Sequence, residues 1–228
     1  SSWFLMSLTT AVDKLSMWSQ YGDRAEGVCL VLDSYDFSTV ESSSDIEWLT
    51  IRKNSKNFNN EEEVSLRETR DINDFIYRIA YLSMHDDKES ILKSEYNSCL
   101  HQEEITVINE ALKALKESLE KIDKDNELIL YEKVDECLEE IRYLFKSADY
   151  SYESELRVLK YMPLEPDNPK IKIDNSGEVA KLYIERENPI KLSEVIFGPK
   201  FSHPENVTPL LHLLDKNIKF RQSQIPFK

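Results

Sequence analysis

The pattern of apolar and polar positions favours strands near the two ends of the chain and helices in the middle. Residues 3–9 are mainly apolar and predict a strand, and a helix carrying Trp18 and Tyr21 is expected to follow. The apolar run at 28–32 is nearly continuous, which predicts a strand that is buried on both faces. Residues 46–52 predict a further strand.

The middle of the chain, residues 61–147, contains neither Gly nor Pro, and its apolar residues recur at helical spacing. One predicted helix is marked by Ile72, Phe75, Ile76, Ile79 and Ala80. Apolar positions between 108 and 122 step by four and three residues, and those between 130 and 145 follow after a polar break. The last two segments predict an antiparallel helical hairpin.

Strand patterns return after residue 150, over 152–161, 179–186, 192–197 and 217–223. Between the last two strands, residues 204–214 suit an amphipathic helix. The side chains expected to face inward from it are Val207, Leu210, Leu211 and Leu214. Strand-rich ends that flank a helical block predict a single α+β domain over residues 1–228. Its mixed or antiparallel sheet is built from both chain ends, with a helical insertion at about 61–147.

Composition removes several classes of protein from consideration. The chain has 29 basic and 43 acidic residues, a net charge of -14, so a basic nucleic-acid footprint is not expected. No apolar stretch approaches the ~20 residues of a membrane span, and no signal peptide is recognisable, which favours a cytoplasmic protein. Because the chain does not begin with Met, we expect its native N-terminus to lie upstream.

Glycine, cysteine and histidine patterns predict neither a bound cofactor nor a metal site. The four glycines cannot form a phosphate-binding loop, and the four histidines never fall at the i, i+4 spacing of metal ligands. The three cysteines are widely spaced, which is typical of small buried hydrophobic residues in a reducing compartment.

Most of the negative charge lies in the middle of the chain. Residues 61–147 contain 23 acidic and 12 basic residues, a net charge of -11. Solvated helix faces explain such a bias, and an acidic surface that docks a protein partner is the functional alternative.

Two carboxylates and an arginine alternate along the strand predicted at 152–161. Glu153, Glu155 and Arg157 would share one strand face at a spacing of roughly 6.5–7 Å, with Tyr152 and Leu156 anchored in the core on the other. A site would use Arg157 to hold one carboxylate and leave the other for a substrate hydroxyl or a proton. An exposed strand face with a weak ion pair has the same spacing, so both interpretations stay open.

A second group of residues lies near the N-terminus. Trp18 and Tyr21 are three residues apart and share a helix face, as an aromatic shelf for a base or sugar requires. Core packing under the sheet is the structural alternative.

Several short blocks follow one another along the chain: Met17-Trp18-x-x-Tyr21-Gly22-Asp23, Gly27-Val28-Cys29-Leu30, Tyr152-Glu153-x-Glu155-x-Arg157, Val195-Ile196-Phe197-Gly198-Pro199-Lys200 and Ser223-x-Ile225-Pro226-Phe227. Their order resembles that of the bacterial domain of unknown function 2971 family. The resemblance implies a fold neighbourhood, and the family name implies no activity.

The order of these parts also resembles, more weakly, that of ADP-ribosyltransferase-like domains, which would make NAD a substrate. The resemblance implies that Glu155 is the catalytic residue and Glu153 its partner. It also implies that Ser7 and Thr9 brace the nicotinamide while Tyr21 stacks on it. The early-strand His or Arg of those domains has no counterpart here. Two hypotheses result: an NAD-consuming transferase or glycohydrolase, and a non-catalytic sensor or interaction module that docks a partner through its acidic helices.

Overall fold

The computed structural model describes residues 2–33, 37–39, 74–84, 90–123, 134, 138–139, 141–186 and 189–227. They belong to two compact units. The first unit takes its residues from Ser1–Leu8, Val12–Tyr77 and Val158–Lys228, and the second from Thr9–Ala11 and Arg78–Arg157. Helices and strands both contribute, so the predicted α+β class is confirmed. Among the described helices, none is long and apolar enough to cross a membrane.

The described elements comprise twelve strands, three α-helices and a 3-10 helix over Ala148–Glu153. In chain order, the strands are β1 Ser2–Thr9, β2 Val28–Leu32, β3 Phe37–Thr39, β4 Asp74–Arg78, β5 Ala80–Met84, β6 Ser90–Leu92, β7 Phe145–Ser147, β8 Glu155–Met162, β9 Ile171–Asp174, β10 Lys181–Ile184, β11 Leu192–Phe197 and β12 Lys219–Gln222. The helices are α1 Leu15–Gln20, α2 Gln102–Asp123 and α3 Pro204–Leu214.

The described strands form four sheets. One has the order β1-β8-β4-β3, another the order β12-β11-β2, a third the order β6-β5-β7, and β9 pairs with β10 in a two-stranded ribbon. Strand β11 pairs antiparallel with β2 and parallel with β12. Strands from the two ends of the chain therefore lie side by side, as predicted.

Strand β11 forms the centre of the core in the first unit. Ile196 packs in a cluster with Trp18 and Ala25, whereas Val195 and Phe197 belong to a second cluster that contains Ile218. Side chains alternate along a strand, so β11 is buried on both faces. Burial on both faces was predicted for β2, which is wrong because Val28 and Leu30 are exposed.

A turn with left-handed backbone explains why the block Val195–Lys200 contains Gly198. Asp23, Arg24 and Ala25 have φ values of 47°, 55° and 74°, a region in which residues other than glycine are strained. The turn fits against Gly198, where an added Cβ would lie 2.2 Å from the carbonyl oxygen of Ala25. The amide of Gly198 donates to the carbonyl of Gly27 at 2.9 Å. Gly198 therefore allows its backbone to pack closely against the turn that ends at Gly27.

In the second unit, α2 packs on the sheet of β5, β6 and β7. Ile105 of α2 forms a buried cluster with Ala80 and Leu92. The side chain of Asn109 accepts from the amide of Leu92 at 2.8 Å and donates to its carbonyl at 3.0 Å. Because this side chain satisfies both backbone groups of Leu92, it fixes the helix to the β6 edge of the sheet.

The prediction of a helix over residues 72–80 is wrong, because β4 and β5 lie there. This segment is rich in β-branched and aromatic side chains, which favour strands, and its pattern also suits a period of 3.6. The helix predicted over 108–122 is confirmed by α2. Half of its hairpin partner at 130–145, and the whole strand at 46–52, lie outside the described residues, and residues 134, 138–139 and 141–142 of that partner are helical. Phe145 opens β7 and so is not helical.

The C-terminal predictions are confirmed for β8, β10, β11, β12 and α3, whereas β9, which follows Pro169, was missed. Strand β8 begins at Glu155, three residues later than expected. On α3, Val207 and Leu211 pack against the cluster of Ile218. Leu210 and Leu214 are exposed, so the predicted inward set is only half correct. Cys99 is also exposed, contrary to the burial predicted for the cysteines.

Candidate functional site

Four charged side chains of the second unit form one cluster, which we call the ion cluster: Lys146, Glu153, Glu155 and Arg157. Lys146 lies on β7, Glu153 ends the 3-10 helix, and the other two lie at the start of β8. Each glutamate side chain is only 5% exposed. Charged groups are rarely buried to this degree unless they are paired.

Each carboxylate of the ion cluster accepts hydrogen bonds from at least one cation. Lys146 Nζ donates to Glu153 Oε2 at 2.5 Å and to Glu155 Oε2 at 3.0 Å. Arg157 donates through Nε to Glu155 Oε1 at 2.8 Å and through Nη2 to Oε2 at 3.1 Å, a bidentate pair. Arg157 Nη1 also donates to the carbonyl oxygen of Tyr143. Two cations thus balance two carboxylates.

A left-handed residue brings the two glutamates together. Ser154 has φ 46° and ψ 52°, and it separates Glu153 on the 3-10 helix from Glu155 on β8. The prediction that Glu153 and Glu155 share one face of a continuous strand is therefore wrong in its geometry. Their carboxylates nevertheless meet, at Lys146. Tyr152, predicted as a core anchor, is exposed because it belongs to the 3-10 helix.

Buried polar groups hold the backbone of the ion cluster in place. The amide of Glu155 donates to the hydroxyl of Tyr81 at 2.7 Å. Asn97 in turn holds Tyr81: the Asn97 side chain accepts a hydrogen bond from the backbone amide of Tyr81 and donates one to the backbone carbonyl of Tyr81. The hydroxyl of Thr9 donates to the carbonyl of Glu153. Of the predicted site residues, Thr9, Glu153, Glu155 and Arg157 are thus assembled in one place.

Sequence analysis missed Lys146, Tyr81 and Asn97. Lys146 is nine residues before Glu155, Asn97 lies 58 residues before it, and Tyr81 lies 74 residues before it. None of them falls in a motif: the pairing of β5 with β7 places Tyr81 opposite Lys146, and Asn97 reaches Tyr81 through side-chain hydrogen bonds. Two acids with a single nearby cation, Arg157, in an apolar context were the available signal that a second cation was required.

The surroundings of Lys146 and Tyr81 determine their protonation states. Burial lowers the pKa of Lys146, but the hydrogen bonds to Glu153 and Glu155 outweigh it and raise the pKa overall. Burial also raises the pKa of the Tyr81 hydroxyl. Lys146 is therefore an ammonium and Tyr81 a neutral phenol at neutral pH. A protonated Lys146 provides a positive charge and cannot act as a nucleophile.

The ion cluster reaches solvent beside Tyr150. The side chain of Lys146 is 22% exposed, and its Nζ lies 4.9 Å from the centroid of the Tyr150 ring. Tyr150 is 42% exposed. The cluster thus has a buried side of carboxylates and an accessible side that consists of a cation and an aromatic ring.

The other predicted residues, Ser7, Trp18 and Tyr21, belong to the first unit. Trp18 is 3% exposed, packs with Ala25, and donates from Nε1 to Asp13 Oδ1 at 2.8 Å. Tyr21 is largely exposed. The structure thus places Trp18 in the core and Tyr21 at the surface, and their roles as ligand contacts stay predictions. Within the described residues, no group of three His, Cys, Asp or Glu side chains could hold a metal ion.

A family model described as protein of unknown function (DUF2971) matches residues 17–158. This match confirms the resemblance drawn from the short blocks. No curated protein and no solved structure matches the chain. The resemblance to ADP-ribosyltransferase-like domains gains no support from these comparisons.

Proposed function

This chain belongs to the DUF2971 family, whose description assigns no activity, and we propose that it is an NAD-consuming enzyme whose site is the ion cluster. The observation that carries the proposal is the burial of two carboxylates that are held by two cations. Cleavage of a glycosidic bond passes through an oxocarbenium-like state, and paired carboxylates are the groups that commonly stabilise it.

The cost of burying the ion cluster supports a functional role. The two glutamate carboxylates, each only 5% exposed, lose several kcal/mol of hydration each, and apolar side chains of similar size often stabilise a protein as well or better. The left-handed Ser154 adds backbone strain between the two glutamates. Strain and desolvated charge in one place are characteristic of sites in which geometry is fixed for a ligand.

The accessible side of the ion cluster offers complementary contacts for NAD. The ring of Tyr150 provides a planar surface for the nicotinamide, and Lys146 provides a positive charge for the diphosphate. Glu153 and Glu155 lie on the buried side, where they orient Lys146 through its hydrogen bonds and contribute negative charge near the reacting ribose. In the proposed reaction, the bond between ribose C1′ and the pyridinium nitrogen breaks and its electron pair leaves with nicotinamide. Water adds to C1′ and releases a proton, which yields ADP-ribose.

Nicotinamide release from NAD tests this proposal. We expect turnover by the parent protein, and a loss of about tenfold or more in kcat/KM for Tyr150→Ala, because one stacking contact contributes ~1–3 kcal/mol. Tyr152→Ala is the matched control, since Tyr152 is an exposed tyrosine of the same 3-10 helix. Both rings are exposed, so neither variant should unfold. Absence of turnover by the parent, or equal losses in the two variants, would show that the proposal is wrong.

The acidic surface of α2 supports the second candidate function, the docking of a basic partner. Glu103, Glu110 and Glu117 are seven residues apart and share one helix face, with the exposed Val107 between the first two. We expect a Lys-rich helical peptide to bind this face and to dissociate as salt increases. A Gln variant of these three glutamates should lose binding, whereas the control variant with Gln at Glu165, Glu178 and Glu185 should keep it. Equal loss of binding in both variants would mean that the overall negative charge, and not this face of α2, attracts the peptide.

A further inference from the structure

The first unit contains a cavity that none of the predicted site residues lines. Its volume is about 480 Å³, within the range of ~300–1,000 Å³ that is typical of small-molecule sites. Strands β1, β8 and β10 contribute most of its wall. The lining includes Trp3, Phe4, Leu182 and Tyr183, so the wall is mainly apolar and rich in aromatic rings.

Two cations, Lys160 and Arg186, interrupt this apolar wall. The guanidinium of Arg186 lies 5.2 Å from the ring centroid of Phe37, which holds its planar group in position. The described lining residues contain no carboxylate. Acidic residues outnumber basic ones by 43 to 29 in the whole chain, so a purely cationic lining runs against the overall charge.

The rim of the cavity keeps apolar surface in contact with water. Leu182 and Tyr183 of β10 are both exposed although they line the cavity. Exposed apolar side chains next to fixed positive charge recognise a molecule that has an apolar body and an anionic end. A neutral hydrophobic ligand would make no use of the two positive charges, and a small inorganic anion would leave the apolar wall hydrated.

We infer that this cavity binds an amphipathic organic anion, a molecule with an aliphatic or aromatic body and a carboxylate or phosphate head. Arg186 matches such a head because its guanidinium can donate two parallel hydrogen bonds to either group. Lys160 adds a second positive charge. This inference concerns the first unit and does not depend on the NAD proposal for the second.

Calorimetric titration of the full chain with decanoate, decyl phosphate and 1-decanol tests the inference. The three probes share an apolar body, so any difference between them reports on the head group. We expect the anionic probes to bind about tenfold or more tightly than 1-decanol, as one charge-assisted hydrogen bond implies. Whichever of decanoate and decyl phosphate binds more tightly then shows whether the site prefers a carboxylate or a phosphate head. Equal affinity for all three probes, or no binding, would overturn the inference.

Two variants locate the binding. Arg186→Met keeps an apolar stem and should lose about tenfold in affinity for decanoate, with the affinity for 1-decanol unchanged. Lys172→Gln, at an exposed position of β9, is the matched control and should bind as the parent does. If Arg186→Met does not fold, Leu182→Glu places a negative charge at the exposed rim and should weaken decanoate binding without unfolding the chain. Unchanged decanoate affinity in the folded variant would contradict the proposed site.

Discussion

Each unit contains a carboxylate clamped by an arginine, and the two arrangements differ in their exposure to water. In the first unit, Arg221 donates through Nη1 to Asp13 Oδ2 at 2.6 Å and through Nε to Glu194 Oε1 at 3.2 Å. The side chain of Arg221 is 41% exposed. In the ion cluster of the second unit, both glutamate side chains are almost completely buried.

This difference separates a structural pair from a candidate site. The pair at Asp13 is screened by water, so its net contribution to stability is small, about 0–1 kcal/mol. Its carboxylate also accepts from the indole of Trp18, which orients a ring that the core stabilises by burial. In the ion cluster, the desolvation of the glutamates is offset by polar contacts, among them those with Lys146 and Arg157, which is expected where function selects the charges.

The largest expected effect is the loss of stability on truncation of Trp18, the buried ring of the first unit. Trp18→Ala removes a buried ring and leaves a cavity beside Ala25 and Ile196, which should lower the free energy of unfolding by about 3–5 kcal/mol. Chemical denaturation of the parent and the variant measures the change. A loss below ~1 kcal/mol would mean that neither the packing of the ring nor its bond to Asp13 stabilises this region.

The next effect concerns Glu155. Spacing alone predicts that Glu155→Gln spares folding, whereas the structure leads to a different expectation because Glu155 contacts both cations. Neutralising it leaves positive charge uncompensated and should lower the free energy of unfolding by about 2–3 kcal/mol. Denaturation of this variant gives the value directly. An unchanged stability would show that water already screens the ion cluster.

A smaller effect is expected for the exposed arginine of the first unit. Arg221→Gln keeps a polar side chain and removes the charge, so it should lower the free energy of unfolding by less than about 1 kcal/mol. Raising the salt concentration should reduce even this difference. A loss as large as that of Glu155→Gln would erase the distinction between the two regions.

The two regions should also respond to opposite extremes of pH. Burial opposes the shift at Asp13, but hydrogen bonds with Arg221, Ser223 and Trp18 outweigh it and lower the pKa. The stability that Asp13 adds is therefore present above about pH 4 and is lost as pH falls through its folded pKa. The pKa of Lys146 and that of Tyr81 are raised, so their contribution is present below about pH 10 and is lost as pH rises through the folded values.

Amide hydrogen exchange at the ends of the pH range distinguishes these responses. Acid should reduce protection around Trp18 through the protonation of Asp13, and alkali should reduce it around Glu155 through the deprotonation of Lys146 and Tyr81. An Asp13→Asn variant should lose the acid response alone. If acid and alkali reduced protection equally in both regions, the proposed pairings would not control it.

The sequence was sufficient for local patterns and insufficient for long-range partners. Strands β2 and β11 were predictable because their apolar runs are short and bounded by turns, and α3 because its period is clear. The segment over β4 and β5 was misread, since strand propensity and helical spacing coincide there. Glu155 and Arg157 were found because the strand period places them together. Lys146 was missed because its contact depends on the pairing of β7 with β5.

Replacement of the whole ion cluster by apolar side chains tests the central claim that function, and not stability, accounts for these charges. Methionine at Lys146, Glu153, Glu155 and Arg157 keeps similar volumes and leaves no buried charge unpaired in the cluster. We predict that the free energy of unfolding of this variant equals or exceeds that of the parent, by up to about 4 kcal/mol, and that nicotinamide release from NAD is abolished. A folded variant that releases nicotinamide at the parental rate would contradict the account.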